Sequence, residues 1–326
     1  MSFLRLTGEA APDVEALQTW LDAPAPGSPL LIETSGSTGE PKRVVLSRAA
    51  VLASARASAA RVGSGRWWLT LPSSYVAGIN VIVRSLLAGH PPVLGDSPGD
   101  ASCTSLVPTQ LRRMLTTDLD RLRALDVVLL GGGPIDPSLR RRAESLGVRV
   151  VATYGSSETC GGCVYDGVPL DGVDVRIDPS DARIGLRGPM LFTEYDGDPV
   201  LTAETLVDGW FLTSDLGRLD DDGRLRVLGR LDDMVLSGGV NVPAPAVAAR
   251  LREHPAVHDA VVIGVPDHEW GQRVVAYVVG RLTLAEARDW VAVVHPRAWA
   301  PRELCVLDEL PLLANGKVDL VRLRAW

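Results

Sequence analysis

The sequence predicts an α/β fold: a large N-terminal domain of layered α/β sheets plus a β-rich subdomain, with a smaller α+β C-terminal domain. Three textures along the 326 residues carry that expectation. Between residues 30 and 155, short apolar runs alternate with helical stretches, the pattern of a mostly parallel sheet covered by helices. From 164 to 230 the spacing tightens to Gly/Asp turns, as in "YDGDPV", "VDGW" and "LDDDGRLRVLG", which points to antiparallel β structure. After "GRLDDMVLSGGVNV" a smaller α+β unit follows, so the domains divide as 1–231 and 232–326.

Taken in order, "PLLIET" reads as a strand and leads into a Gly/Ser/Thr loop, with an alanine-rich helix from Ser47 to Val62. "RWWLTLP" and "CTSLVP" are the next strands, followed by an Arg/Leu-rich helix over 108–124. "LDVVLLGGG", a helix over 137–146 and "VRVVATYG" complete the alternation. The C-terminal unit has a helix over 244–253, strands at "AVVIGVP" and "RVVAYVV", and a helix over 284–293.

An apolar content of 46% supplies a sizeable core for two domains, and a soluble enzyme is the default class. The formal charge of −7 argues against a nucleic-acid coat or a basic membrane-surface protein, both of which need a cationic excess. "MSFLRLTGEAAPD" lacks a signal-peptide core, and no apolar run approaches the roughly 20 residues of a membrane span. A cytoplasmic location, no nucleic acid and no membrane insertion are therefore expected. Of four cysteines, Cys160 and Cys163 have CxxC spacing, but a zinc site needs about two further ligands that no nearby histidine pair supplies. A redox pair and free loop thiols both remain open, the thiols being the simpler reading.

Only two of the 33 basic residues are lysines, Lys42 and Lys317, and both lie in Gly-containing, turn-like segments. Genomic base composition explains their scarcity but not their placement. A compact ammonium is not equivalent to a guanidinium where a single charge must approach a crowded phosphate. Lys42 ends "TSGSTGEPK", where Thr34, Ser35, Gly36, Ser37, Thr38 and Gly39 offer backbone N–H groups and hydroxyls to a polyphosphate. The stretch is not a Walker A loop, because Lys42 follows Gly39 by three positions and precedes Arg43. A Gly131-Gly-Gly-Pro134 run after a strand reads equally as room for a base or as a tight turn.

Four further segments follow in order: "TYGSSET" (153–159), "TSDLG" (213–217), "GRLDDMVLSGG" (229–239) and "NGK" ending at Lys317. With the loop, this set resembles the acyl-adenylate-forming superfamily of acyl-CoA synthetases, peptide-synthetase adenylation domains and luciferases, over nearly the whole chain. The resemblance implies an AMP-forming acid–thiol ligase using ATP, Mg2+ and coenzyme A on a small carboxylic acid. It implies Lys42 and Thr34 to Gly39 at the phosphates, Glu158 as the Mg2+ ligand, and Gly132, Tyr154, Gly155 and Ser157 around the nucleotide. Asp215 would take the ribose hydroxyls, with Arg230 on the same sugar or its phosphate. Lys317 would come from a mobile small domain swinging about Asp232, contact the reacting groups during adenylation, and leave before thioester formation.

The acid is read from weaker signals. Arg84 sits in the apolar helical stretch "AGINVIVRSLLAG", where an unpaired cation is costly, so it needs an anionic partner. A structural carboxylate and a substrate carboxylate are both open. "PSSYVAGINVIVRSLLAG" and "YGSSETCGGCVYDG" resemble one branch of the superfamily, the o-succinylbenzoyl-CoA synthetases of menaquinone biosynthesis. That implies Arg84, Tyr75 and Ser156 around o-succinylbenzoate, with Tyr75 standing where many relatives have His. The alternative is a stand-alone adenylation enzyme loading an aryl or amino acid onto a carrier protein.

Overall fold

The computed structural model describes residues 2–34, 42–231, 234–311 and 318–324. The chain opens with helix α1 (Ala10–Asp22) and two antiparallel strands, β1 (Leu30–Glu33) and β2 (Arg43–Leu46). It continues through α2 (Arg48–Val62), β3 (Trp67–Trp68), α3 (Val76–Leu87), β4 (Cys103–Leu106), α4 (Pro108–Thr117) and α5 (Leu119–Arg123). Then come β5 (Val127–Leu130), α6 (Pro137–Ser145), β6 (Val150–Ser156), β7 (Gly161–Tyr165) and β8 (Val168–Pro169).

Strands β3 to β8 form one six-stranded sheet in chain order. The pairs from β3 to β6 are parallel and those from β6 to β8 antiparallel, so the sheet changes character at β6. β4 and β5 are buried at every residue, as a strand covered on both faces must be. Leu106, Leu111, Leu122, Leu130, Leu139 and Val150 pack α4, α5 and α6 into one cluster on this sheet. Local chemistry starts the helices. Ser47 Oγ accepts from Ala50 N at the head of α2, Asp136 accepts from Ser138 N at α6, and Pro108 and Pro137 occupy first-turn positions whose N–H would be idle.

Two local expectations change. The single helix over 108–124 is two helices, because Asp118 leaves helical geometry (φ −142°, ψ 33°) while its carboxylate takes the Thr117 hydroxyl. The stretch from Lys42 to the helix at Ser47 holds a strand: "RVVL" forms β2, and Thr34 N donates to Lys42 O at 2.9 Å where the two strands part. The residues 34–42 therefore connect two antiparallel strands rather than a strand and a helix.

Beyond β8, strands Asp174–Ile177, Arg183–Arg187, Leu206–Val207, Trp210–Leu219 and Leu225–Arg230 make the five-stranded sheet that the Gly/Asp turns predict. The C-terminal α+β portion is built on the antiparallel strands Val257–Asp267 and Gly271–Gly280, with helices Ala244–Arg252 and Leu284–Ala292. Val247, Leu251, Val274, Val278 and Val291 form its core. By internal packing the chain has two compact units. One comprises Met1–Arg176, Gly185–Leu212 and Leu219–Leu225, and the other Ile177–Ile184, Thr213–Arg218 and Arg226–Trp326. Among the described residues no helix is long and apolar enough to cross a membrane.

α3 is buried continuously from Gly78 to Ser85, and its entry is tight: a Cβ on Gly78 would lie 2.1 Å from the Pro72 carbonyl oxygen. Gly78→Ala is expected to lower stability by roughly 1–3 kcal/mol, the cost of overpacking a filled site. A thermal-unfolding midpoint equal to the wild type's would contradict this packing.

Candidate active site

The site begins with the register of β2. Besides β1, β2 pairs antiparallel with the two-residue strand Glu194–Tyr195, Tyr195 opposite Val44 and Glu194 opposite Val45. Asp196 N donates to Arg43 O, Thr193 N donates to Val45 O, and Arg43 and Asp196 form an ion pair at the end of the ladder. Lys42 stands two residues before Val44, so it projects to the same side as Tyr195. Its Nζ lies 5.5 Å from the Tyr195 ring centroid, within the range of cation–π attraction.

Tyr195 also meets Glu158, another charged residue singled out by the sequence. Its phenol donates to Glu158 Oε1 at 2.8 Å in a buried setting. Burial and the neighbouring Glu158 charge push the phenol far above its ordinary pKa, so it stays a donor. Phe192 N donates to Glu158 O at 2.8 Å, so this strand segment grips Glu158 by backbone and side chain together. Among the described residues no ammonium or guanidinium forms an ion pair with Glu158, and its Oε2 accepts no hydrogen bond.

Glu158 lies in a single 3-10 turn, Ser157–Thr159, between β6 and β7. The turn ends in Cys160, a non-glycine residue in the left-handed region (φ 50°). Two helices hold it there: the Cys160 carbonyl accepts from Asn80 Nδ2 of α3 at 2.7 Å and from Ser54 Oγ of α2 at 3.1 Å. Gly161 follows at φ +87°, and a Cβ on it would lie 2.4 Å from Asn80 Nδ2. Gly155 is likewise forced, since its Cβ would meet the Gly161 carbonyl oxygen at 2.1 Å. Tyr154 lies in β6 opposite Val164, and Ser156 Oγ is buried without a hydrogen-bond partner among the described residues.

One carboxylate on a rigid turn fits Mg2+ delivered with a nucleotide, because Mg2+ keeps several waters and takes phosphate oxygens. No group of three or more His, Cys, Asp or Glu among the described residues could hold a metal ion, so Cys160 and Cys163 find no further zinc ligands among them. Both cysteines are free and buried, and burial raises both thiols, that of Cys163 to about 12. The reactive redox pair is thereby set aside, since a reactive cysteine needs a lowered pKa and access.

Arg84 lies one turn beyond Asn80 on α3 and is 7% exposed. Its Nη2 donates to the Tyr165 phenol oxygen at 3.2 Å, its guanidinium carbon sits 5.2 Å from the Trp67 ring centroid, and its Nε has no hydrogen-bond partner among the described residues. Tyr165 accepts from Arg84, and its hydroxyl lies 2.8 Å from Ser58 Oγ, either group being able to donate. No described carboxylate pairs with Arg84, so the structural ion pair left open by the sequence is absent among these residues. Arg84 lines a cavity of about 280 Å³ with Ala55, Arg56, Ala59, Trp67 and Leu87 among its neighbours. Tyr75 caps α3 nine residues away, is half exposed and does not line this cavity.

The second unit carries Asp215 and Arg230, whose side chains approach to 4.0 Å on strands Trp210–Leu219 and Leu225–Arg230. Gly132 follows β5 with φ +76°, a conformation that favours glycine. Thr34 stands at the end of β1, its hydroxyl 3.4 Å from Lys42 O. Ser35, Gly36, Ser37, Thr38, Gly39, Asp232 and Lys317 lie outside the described residues. The sequence reading missed Tyr195, Asn80, Ser54 and Tyr165. Asn80 carried the same signal as Arg84, a polar group in an apolar run, whereas Tyr195 carried none, because its partners lie far away in sequence.

This loop, turn and strand arrangement has relatives. The AMP-binding enzyme family matches residues 8–194, and the AMP-binding enzyme C-terminal domain matches 246–317. The chain belongs to the AMP-binding enzyme family. It is 43% identical over 316 residues to a probable 2-succinylbenzoate–CoA ligase of Mycobacterium tuberculosis, covering 89% of this chain and 82% of that protein. A 2-succinylbenzoate–CoA ligase of Listeria monocytogenes is 30% identical, with 97% of this chain and 73% of the relative covered. In structure it is similar to the o-succinylbenzoate CoA synthetase of Bacillus subtilis in complex with the acyl-adenylate intermediate OSB-AMP. That likeness has TM-score 0.75 and 30% identity, over 89% of this chain and 67% of that one. The amide bond synthetase McbA of Marinactinospora thermotolerans gives TM-score 0.79 at 28% identity, over 91% and 69%. The acyl-adenylate-forming superfamily and its mixed α/β fold, expected from the motifs, are thus found.

The buried thiols give a direct test of the turn. At pH 8, iodoacetamide followed by mass spectrometry is expected to label the partly exposed Cys305 ahead of Cys160 and Cys163, which react only after denaturation. Rapid labelling of Cys160 or Cys163 in the native protein would restore the redox reading.

Proposed function

We propose that this chain is an AMP-forming acid–thiol ligase that activates o-succinylbenzoate with ATP and transfers the acyl group to coenzyme A, in menaquinone biosynthesis. The observation that carries the adenylation half is the meeting of Lys42 and Glu158 on Tyr195, which puts a cation and a lone buried carboxylate in one place. Joining a carboxylate to the α-phosphorus of ATP brings two anions together, so charge must be screened before the bond forms. Lys42 supplies an ammonium toward the phosphates beside the loop 34–39. Glu158 offers Oε2 as an oxygen ligand, and Mg2+ held there with the nucleotide would neutralise phosphate charge. Asp215 accepts from the ribose hydroxyls, with Arg230 beside it, and Gly132, Tyr154, Gly155 and Ser157 border the nucleotide.

The acid carboxylate attacks the α-phosphorus, pyrophosphate leaves, and an acyl adenylate remains. The coenzyme A thiol then attacks the acyl carbon and AMP departs. Arg84 supports the choice of acid: a buried guanidinium with no described carboxylate and an idle Nε is suited to a second carboxylate on the substrate. Its place one turn past Asn80, about 6 Å along the helix, sets it back from the turn that carries Glu158, as a dicarboxylic acid with one reacting end requires. Tyr75 and Ser156 are assigned to the same acid. The relatives named for 2-succinylbenzoate support the same choice. The domains divide as 1–231 and 232–326, with a hinge at Asp232 that carries Lys317 to and from the reacting groups.

Pyrophosphate exchange across a panel of carboxylic acids is the direct test, with o-succinylbenzoate expected to support it best. Coenzyme A against a carrier protein as acceptor then decides the second step, and preference for the carrier protein would replace the proposed acceptor. Arg84→Met, which keeps bulk but removes charge, is expected to raise KM for o-succinylbenzoate roughly 10- to 100-fold, the weight of charge-assisted hydrogen bonds. KM for ATP should stay within about twofold, and loss of folding instead would make Arg84 structural. Lys317→Ala should cripple adenylate formation and spare thioester formation from supplied adenylate. Equal loss in both steps rejects the moving lysine.

A further inference from the structure

Tyr195 is 3% exposed and packs its ring 4.8 Å from Phe192, so for core filling alone a phenylalanine would serve. Its hydroxyl is nevertheless spent on a single acceptor, Glu158 Oε1, and its ring face carries a single cation, Lys42. Lys42 and Glu158, both assigned to the nucleotide, come from segments more than 110 residues apart, and this side chain meets both. A buried carboxylate with one oxygen fixed by a donor cannot swing, and its remaining oxygen keeps one direction.

We propose that Tyr195 is a positioning residue for nucleotide activation: its hydroxyl fixes Glu158 so that Oε2 faces the nucleotide's metal, and its ring seats the Lys42 ammonium beside the phosphates. The inference rests on the reading of Glu158 as the carboxylate that meets Mg2+, but not on the identity of the acid or of the thiol. The hydroxyl and the ring act on different partners, so they separate by substitution. Loss of the hydroxyl weakens the metal-dependent part of ATP binding, while loss of the ring also weakens the part that needs no metal.

The test is ATP binding by the full chain, measured by calorimetry over a range of Mg2+ and in EDTA, without acid or coenzyme A. Tyr195→Phe is expected to raise the half-saturating Mg2+ about tenfold or more, the weight of a hydrogen bond to a charged group. Binding in EDTA should be unchanged. Tyr195→Leu is expected to weaken ATP in EDTA as well. In a Glu158→Gln background, Tyr195→Phe should shift the Mg2+ dependence no further, because the two act as one unit. A wild-type Mg2+ dependence in Tyr195→Phe, an equal loss with and without Mg2+ in that variant, or full additivity with Glu158→Gln overturns the proposal.

If Tyr195→Phe does not fold, fluorine NMR of the protein with fluorotyrosine at its five tyrosines gives the same reading. The resonance displaced by Glu158→Gln should move when Mg2+ is added to the ATP-bound protein, and a stationary signal overturns the proposal. Absence of any ATP binding by the wild type would instead reject the ligase function. Failure of o-succinylbenzoate alone would leave the Tyr195 result standing.

Discussion

β2 is four residues long and is hydrogen-bonded along both edges, to β1 on one side and to Glu194–Tyr195 on the other. Much of the candidate site follows from that double pairing. A slip of one residue would turn Tyr195 to the opposite face of the ladder and carry it away from Lys42 and from Glu158 together. The register is held by burial, since Val44, Val45 and Leu46 are all buried, and at its end by the Arg43–Asp196 ion pair. The geometry that places an ammonium and a carboxylate near one another is thus set by apolar side chains.

A second constraint acts on the turn that carries Glu158. Its last residue adopts a backbone conformation that only a few per cent of non-glycine residues occupy, and two hydrogen bonds from α2 and α3 hold the carbonyl there. Those helices are themselves tied into the sheet by buried residues along α3. Strain at the turn is therefore offset by a packed scaffold, the arrangement expected where a loop must present a charged group in one orientation.

How much of this was legible in the sequence depends on how far each interaction reaches along the chain. Residue types with a local signature were readable: the sparse lysines, the "TYGSSET" turn, the Ser47 cap and the apolar runs that became β4, β5 and β6. The parallel alternation gave the layered class, and the Gly/Asp spacing gave the antiparallel region. β2 escaped notice because three apolar residues before a helix cap fit a loop exit as well as a strand, and only pairing, with β1 and with a segment some 150 residues away, decides between them. The break at Asp118 escaped because Asp is tolerated inside helices as well as at their ends. Tyr195 was hidden for the same reason as β2: its function lies in partners, not in neighbours. Asn80 was readable and overlooked, four residues before an Arg that drew notice on identical grounds.

The Arg84–Tyr165 contact has a fixed polarity, because a guanidinium carries donors and no acceptor. Had an imidazole stood at 84, the lining of that cavity would change sign of preference within the physiological range and become a sensor of acidity. With Arg in place, whatever enters that cavity meets only hydrogen-bond donors from residue 84.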